Sequence, residues 1–406
     1  MGKKIFESIT QELTGEFNII ARTSYALEEV LAKEIEGIGG QRIEILNRAV
    51  SFYGTKETLY RANLELRTCL RVLVPIYMFE VYNEVDLYRE TKMFDWDKYL
   101  DLKTTFAISS DVYSRFFNHE NYVALKVKDA IVDQLREVYG GRRPDVDLED
   151  PDLRLHVHLS DNMCTILLDS SGDSLHKRGY RIGQGIAPIN EVLAAGMIML
   201  SGWNAESDFV DPMCGSGTIL MEAATIAYNI APGIKIEKFG FMKWKDYEPE
   251  LWERLKVEAK SRERDFPYKI MGFDDSPKAI LVAKNNIKYA DLGWKILVRT
   301  LRLEKMTRED IPETGFALIN PPYGERLEAD TDALYKTIGD CLKQNFDGFS
   351  VWIISSNKDS LRNIGLRTSK KLTLFNGALE CKFHNFEIYK GSRKTKYNKV
   401  ETEEAE

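Results

Sequence analysis

Two hydrophobic patterns follow one another along this chain. In the second half, short apolar runs recur: "SDFVDP", "YKIMGFDD", "KILVRT", "GFALIN" and "FSVWIISSN". They are rich in β-branched and aromatic residues and continuous rather than alternating, as strands buried on both faces of a parallel sheet are. Between them, "GTILMEAATIAYNI" and "PKAILVAKNNIKYADLG" carry apolar residues at helical spacing. Strand alternating with helix from about residue 190 predicts a doubly wound α/β sheet. The pattern closes differently, because "KLTLFNGALECKFHNFEIYK" sets Asn376-Gly377 between two strand-like runs. That is a hairpin signal, so the parallel sheet is expected to end in an antiparallel hairpin.

Before residue 190 the pattern is mixed. "FNIIART", a helix through "YALEEVLAKEIEGIG" stopped by Gly39-Gly40, and "QRIEILNRAVSFYG" alternate strand and helix signals over residues 15–60. Residues 61–168 add strands such as "TFAISSDVY" and "LRLHVHLSDNMCTILLDSS" around a helical "NHENYVALKVKDAIVDQLREVYGG". This half reads as α+β, with few residues suited to catalysis. The expected divisions are 1–60, 61–170, a linker over 171–189, the α/β domain over 190–392 and a charged tail over 393–406.

Composition narrows the class. At 406 residues, 44% hydrophobic and 29% charged, the chain suits two or three globular domains. Its longest apolar-leaning run, "LRVLVPIYMFEV", is too short to span a bilayer, and "MGKKIFESITQ" lacks the apolar core of a secretion signal. The five cysteines (Cys69, Cys164, Cys214, Cys341, Cys381) are scattered, as expected of reduced thiols in a cytoplasm and not of a zinc site. His156 and His158 share a strand face without a third ligand nearby, so a packed strand is expected there and no metal. Net charge is −7, yet "KGSRKTKYNK" from Lys390 holds five basic residues and no acid, readable as a solvated terminus or an RNA contact.

In open α/β sheets ligands bind at the carboxyl ends of the strands. After the first such strand comes "DPMCGSGT" (211–218), whose Gly215 and Gly217 permit a tight turn and close backbone approach. A third glycine is absent, with Met221 in its place, and no lysine completes a phosphate loop. The acidic Asp211 would repel a pyrophosphate but suits a ligand with a positive amino group. After the second strand, "GFDDSP" places Asp274 where dinucleotide folds bind ribose hydroxyls, while Asp275 or Ser276 is placed to cap the helix from Pro277.

After the fourth strand comes "NPPYGER", beginning at Asn320. Pro321 and Pro322 keep the turn extended and donate no hydrogen bond. An amide oxygen and a backbone carbonyl fixed in this way can accept both hydrogens of one exocyclic amine. The lone pair of such an amine is delocalised into its ring; two acceptors favour a pyramidal nitrogen that can attack an electrophilic methyl in line. Tyr323 would supply the face on which an extruded base stacks.

These three motifs resemble those of class I S-adenosylmethionine-dependent methyltransferases of the amino-group type. "LDSSGDSLHKRGYR" and "APINEVLAAGMIMLSGW" look like the start of the catalytic domain in THUMP-containing RNA methyltransferases. The insertion "IAPGIKIEKFGFMKWKDYEPELWERLKVEAKSRERD" is similar to one in the bacterial enzymes that methylate guanine N2 in large-subunit ribosomal RNA. The resemblance covers roughly residues 17–390. It implies a Rossmann-like methyltransferase domain preceded by a ferredoxin-like segment and a THUMP RNA-binding domain.

Carried onto this chain, the resemblance assigns Asp211, Gly215 and Gly217 to the methionine end of S-adenosylmethionine and Asp274 to its ribose; Pro212, Met213, Cys214, Ser216 and Asp275 are expected to complete the cofactor site. Asn320, Pro321, Pro322 and Tyr323 would hold the target amine, with Asn320 also beside the cofactor. One position departs: relatives often carry an aspartate after the third strand for the adenine amino group, and here Leu301 stands there. Arg115, His119, Arg142, Arg143, Arg178, Tyr180 and Arg181 are candidates for RNA contact, with Arg178–Arg181 also placed to cover the cofactor. The expected activity is methyl transfer to an exocyclic amine of RNA, foremost guanine N2 of 23S ribosomal RNA, without a metal or a covalent intermediate. The alternatives are guanine N2 in tRNA, adenine N6 in DNA, or an inactive RNA-binding protein.

Overall fold

The computed structural model describes residues 9–182, 189–322 and 331–389. They divide into two units, one reaching Gly179 and joined by Ala231–Ser261, the other formed by Tyr180–Ile230 and the described residues from Arg262 on.

The first unit is built on β1 (Ile9–Thr10), β2 (Phe17–Arg22), α1 (Glu28–Gly37), β3 (Gln41–Leu46), β4 (Ala49–Gly54), α2 (Lys56–Glu65), β5 (Arg71–Glu80), α3 (Glu84–Met93), β6 (Phe106–Tyr113), α4 (Glu120–Val138), β7 (Leu153–Ser160) and β8 (Met163–Asp169). β2 buries Phe17, Ile19 and Ala21 on one face, the period-2 pattern of a one-sided strand. α3 starts where the Asn83 side chain accepts the amides of Val85 and Asp86. All the strands join one sheet in the order β3-β4-β2-β5-β8-β7-β6, with β1 also on β5. β5 is long enough to pair with β2 through Arg71–Leu73 and with β8 through Leu73–Glu80. Its Pro75, which cannot donate to a ladder, sits where the register with β8 shifts. One strand thus joins what the sequence read as two domains.

The second unit begins with α5 (Glu191–Ser201), β9 (Phe209–Asp211) and α6 (Thr218–Ala227). The chain then enters Ala231–Ser261, which ends in α7 (Pro249–Ser261) and shares the first unit's core. There Tyr60 stacks on Phe241 at 4.2 Å, and Arg254 pairs with Glu57 at 3.1 Å. The expected division at residue 190 had counted this segment with the α/β domain; its aromatic residues bury against the first unit instead.

β10 (Ile270–Asp274), α8 (Pro277–Tyr289), β11 (Leu297–Thr300), β12 (Gly315–Ile319), α9 (Thr331–Asn345), β13 (Phe349–Ser355), β14 (Lys370–Asn376) and β15 (Leu379–Glu387) complete the second unit. The sheet order is β11-β10-β9-β12-β13-β15-β14. Its first five strands are parallel, and β15 pairs antiparallel with both β13 and β14. The hairpin turns at Asn376-Gly377, with Gly377 at φ +63°. The expected doubly wound sheet with an antiparallel close is the observed fold. Among the described residues no helix is long and apolar enough to cross a membrane.

Candidate active site

Strand order reverses direction at β9, which has β10 on one side and β12 on the other. A crevice opens at such a switch point, at the carboxyl ends of the strands. Three adjacent strands deliver Asp211, Asp274 and Asn320 there.

The turn after β9 is tied by backbone hydrogen bonds both to β10 and within itself. Cys214 N–H donates to the Phe273 carbonyl at 2.8 Å, and Gly217 N–H to the Cys214 carbonyl at 2.8 Å. Gly215 (φ +53°) and Gly217 (φ +84°) occupy left-handed conformations that disfavour side chains. A Cβ on Gly215 would meet nothing within 4 Å, so a ligand can approach that backbone. Gly215 N–H donates to Asp274 Oδ2 at 2.9 Å, and Ser276 N–H to Asp274 Oδ1 at 3.0 Å. Of the two capping candidates, Ser276 caps α8, accepting Ala279 N–H at 3.2 Å, and Asp275 is exposed. Leu301 packs on the apolar core, its N–H on the Asp274 carbonyl at 2.9 Å.

Asp211 is 1% exposed. One carboxylate oxygen accepts Met213 N–H at 3.1 Å, and the other, Oδ2, has no partner among the described residues. Burial pushes this carboxyl up to about 8, and the charge of Asp274 adds to the effect. Burial raises Asp274 too, against the hydrogen bonds from Ser276 and Gly215. Asn320 Oδ1 is likewise buried without a partner among the described residues. Pro321 is buried and Pro322 half-buried; Tyr323 lies outside the described residues. A dry carboxyl, a half-buried second carboxyl and an amide oxygen unpartnered among the described residues, around the open backbone of Gly215, fit a ligand bearing a cation and hydrogen-bond donors. S-adenosylmethionine, with its ammonium and sulfonium, meets that description.

The candidates for RNA contact separate. Arg115 is exposed, its guanidinium 5.3 Å above the Phe116 ring and paired with Asp161 at 3.0 Å. His119, Arg142 and Arg143 are exposed, the arginines following Gly140 and Gly141 at positive φ. Arg178, Tyr180 and Arg181 are turned inward, which corrects their expected RNA-facing role. Arg178 is buried and donates to the carbonyls of Leu175 and Arg67. The Tyr180 hydroxyl donates to Glu222 at 2.5 Å, and Arg181 pairs with Glu191 at 2.7 Å. The sequence reading missed Glu191, Glu222 and Asn286. A signal existed for Asn286, a polar residue on the face of α8 that buries Ile280, Ala283 and Ile287. His156 meets Ser109 Oγ at 3.0 Å and Asp111 at 3.3 Å, and no cluster of metal-ligating side chains occurs among the described residues.

Three family models match the chain in succession: an RlmL ferredoxin-like domain over 18–73, a THUMP domain over 81–169 and an RMKL-like methyltransferase domain over 178–385. The chain belongs to the RMKL-like family of S-adenosylmethionine-dependent RNA methyltransferases. A protein of Synechocystis sp. whose name proposes an RNA methyltransferase is 39% identical over 91% of this chain and 96% of its own length. The ribosomal RNA large subunit methyltransferase K/L of Desulfotalea psychrophila is 38% identical over 90% of this chain but 52% of its own length. The chain thus spans about half the length of the K/L relatives it matches. A crystal structure assigned as a methyltransferase and complexed with SAH is 30% identical, with a TM-score of 0.82, covering 93% of this chain and 99% of that one. The ferredoxin-like and THUMP matches both fall within the single sheet, and the methyltransferase match brackets the segment that packs with the first unit.

Proposed function

We propose that this RMKL-like methyltransferase modifies the exocyclic N2 amine of a guanine in large-subunit ribosomal RNA, in the cytoplasm. The observation that carries the reading is Asn320 Oδ1, a buried acceptor without a partner among the described residues, at the end of the strand beside β9. Left dry and unpaired, such an oxygen costs free energy that a donor from substrate would recover. The guanine amine brings two N–H groups, and a backbone carbonyl of the Asn320–Pro322 turn would accept the second.

S-adenosylmethionine supplies the electrophilic methyl group. In this reading Asp211 Oδ2 accepts from the cofactor's ammonium, Asp274 from its ribose hydroxyls, and Gly215–Gly217 admit it against bare backbone. Asn320 takes one amine hydrogen and holds the nitrogen lone pair towards the methyl. Its contribution grows as the nitrogen becomes pyramidal and its hydrogens more acidic, so it acts chiefly in the transition state. Tyr323 stacks the extruded base. The THUMP domain and the exposed arginines Arg115, Arg142 and Arg143 grip RNA phosphates.

Mapping methylated nucleosides by mass spectrometry in ribosomal and transfer RNA, from cells with and without the protein, tests the substrate. Loss of one N2-methylguanosine in 23S RNA on deletion, restored by the wild type and not by Asn320→Ala, is the expected result. A change confined to tRNA, or to N6 of adenine, would reassign the substrate.

A further inference from the structure

From one short stretch of chain, Tyr180 and Arg181 bond to α6, the helix that follows the glycine loop, and Ile182 bonds to Asn286, which itself holds the loop at Ser216. Arg181 pairs with Glu191 at 2.7 Å and donates to Thr218 Oγ1 at 2.9 Å and the Ile189 carbonyl at 3.3 Å. Both members of that ion pair are nearly buried. Thr218 opens α6, so the guanidinium grips the helix end that follows Gly217. Asn286, fully buried on α8, accepts Ile182 N–H at 3.2 Å and donates to the Ser216 carbonyl at 3.3 Å. One turn into α6, Glu222 accepts the Tyr180 hydroxyl at 2.5 Å.

We infer that Tyr180, Arg181, Ile182 and Asn286 form a brace that holds the glycine loop in its cofactor-ready shape and thereby sets cofactor affinity. They are positioning residues, acting through Ser216, Thr218 and Glu222. The inference rests on reading Asp211–Gly217 as the cofactor loop.

The physical need is specific. Gly215 meets nothing at its Cβ position, and glycines lose the most backbone freedom on ordering. A loop of this kind orders either when ligand binds, at a loss of affinity, or beforehand, through contacts made from behind. Asn286 is suited to the second course, because each arm of its amide holds a different segment and no water reaches it. Arg181 adds a charged anchor whose partner, Glu191, lies in the first turn of α5.

The test uses the full chain with Asn286→Leu, Tyr180→Phe, Arg181→Lys and, as a control, Asp274→Ala. Cofactor affinity is measured by calorimetry, KM and kcat are measured at saturating RNA, and unfolding is followed without ligand. Asn286→Leu is expected to weaken S-adenosylmethionine about tenfold. KM for the cofactor should rise in step while kcat stays near wild type, and the ligand-free Tm should fall by only a few degrees, because Ile182 N–H and Ser216 C=O lose their buried partner. Arg181→Lys keeps the ion pair and should retain most of the affinity. Unchanged cofactor affinity in both Asn286→Leu and Tyr180→Phe, with Asp274→Ala weakened, overturns the brace alone. Unchanged affinity in Asp274→Ala overturns the loop reading and the brace with it. A fall in kcat at constant KM would move these residues into the chemistry and also overturn the proposal. If Asn286→Leu does not fold, the contrast between Tyr180→Phe and Arg181→Lys decides.

Discussion

Asp211 is a carboxyl held dry beside a second carboxyl, and its electrostatics make it a sensor of the cofactor's charge. Its ordinary value of 3.8 is pushed up to about 8 by burial, with Asp274 pushing the same way. A carboxyl raised on folding stabilises the ligand-free protein below its unfolded value, and that stability is lost as pH rises to about 8. An ammonium placed beside it favours the carboxylate, so cofactor binding should release a proton and tighten with pH. Thermal melts between about pH 6 and pH 8 should show the ligand-free Tm falling with pH and the cofactor-induced rise growing. In Asp211→Asn both trends should flatten; persistence of either would place the titrating group elsewhere. Asp274→Ala should weaken S-adenosylmethionine by about tenfold or more in a calorimetric titration, because charge-assisted hydrogen bonds are lost. Asn320→Ala belongs to the chemical step. Its single-turnover rate should fall by about 10²–10³ with cofactor and RNA affinity nearly unchanged. A wild-type rate would reduce the Asn-Pro-Pro turn to a strand terminus.

Among the elements, strands and their ends were the most legible. β9, β10, β12 and the closing hairpin follow apolar runs bounded by turn chemistry, and both are local properties of the chain. The cap of α8 was legible only as a pair of candidates, since Asp275 and Ser276 differ in which side chain reaches Ala279 N–H, and that is settled by geometry. Residues 231–261 were legible as an insertion but not as part of a particular core. Phe239, Phe241, Trp244 and Trp252 would bury equally well, on composition, against either unit. Phe241 is fully buried in the first unit's core, so Phe241→Ala should cost about 3–5 kcal/mol there. Protease protection and melting followed with and without cofactor should show the first unit weakened while cofactor binding survives. A loss of cofactor affinity equal to the loss of stability would show that the segment supports the methyltransferase unit instead.

For the molecule as a whole, net charge of −7 coexists with a proposed RNA-binding surface, so attraction must come from local groups. Arg142→Glu with Arg143→Glu should weaken RNA binding and lower the slope of log K against log salt by about one per lost phosphate contact. Cofactor affinity should not move; filter binding at several salt concentrations checks the first and calorimetry the second. An unaltered slope would leave these arginines as solvated loop charges. The sequence by itself determined the order of strands and helices and which residue types stand at the strand ends, because apolar periodicity, glycine turns and proline restrictions act over a few neighbouring residues. Only the tertiary structure decided that one sheet carries the whole first half, that 231–261 packs with it, and that Arg178, Tyr180 and Arg181 point inward. Whether a charged or polar side chain is solvated or buried depends on partners distant in sequence, as Thr218 is from Arg181 and Asn286 from Ile182. The oxygens of Asp211 and Asn320 that have no partner among the described residues are of the same kind: an acceptor is left dry by what packs around it, which no local pattern encodes.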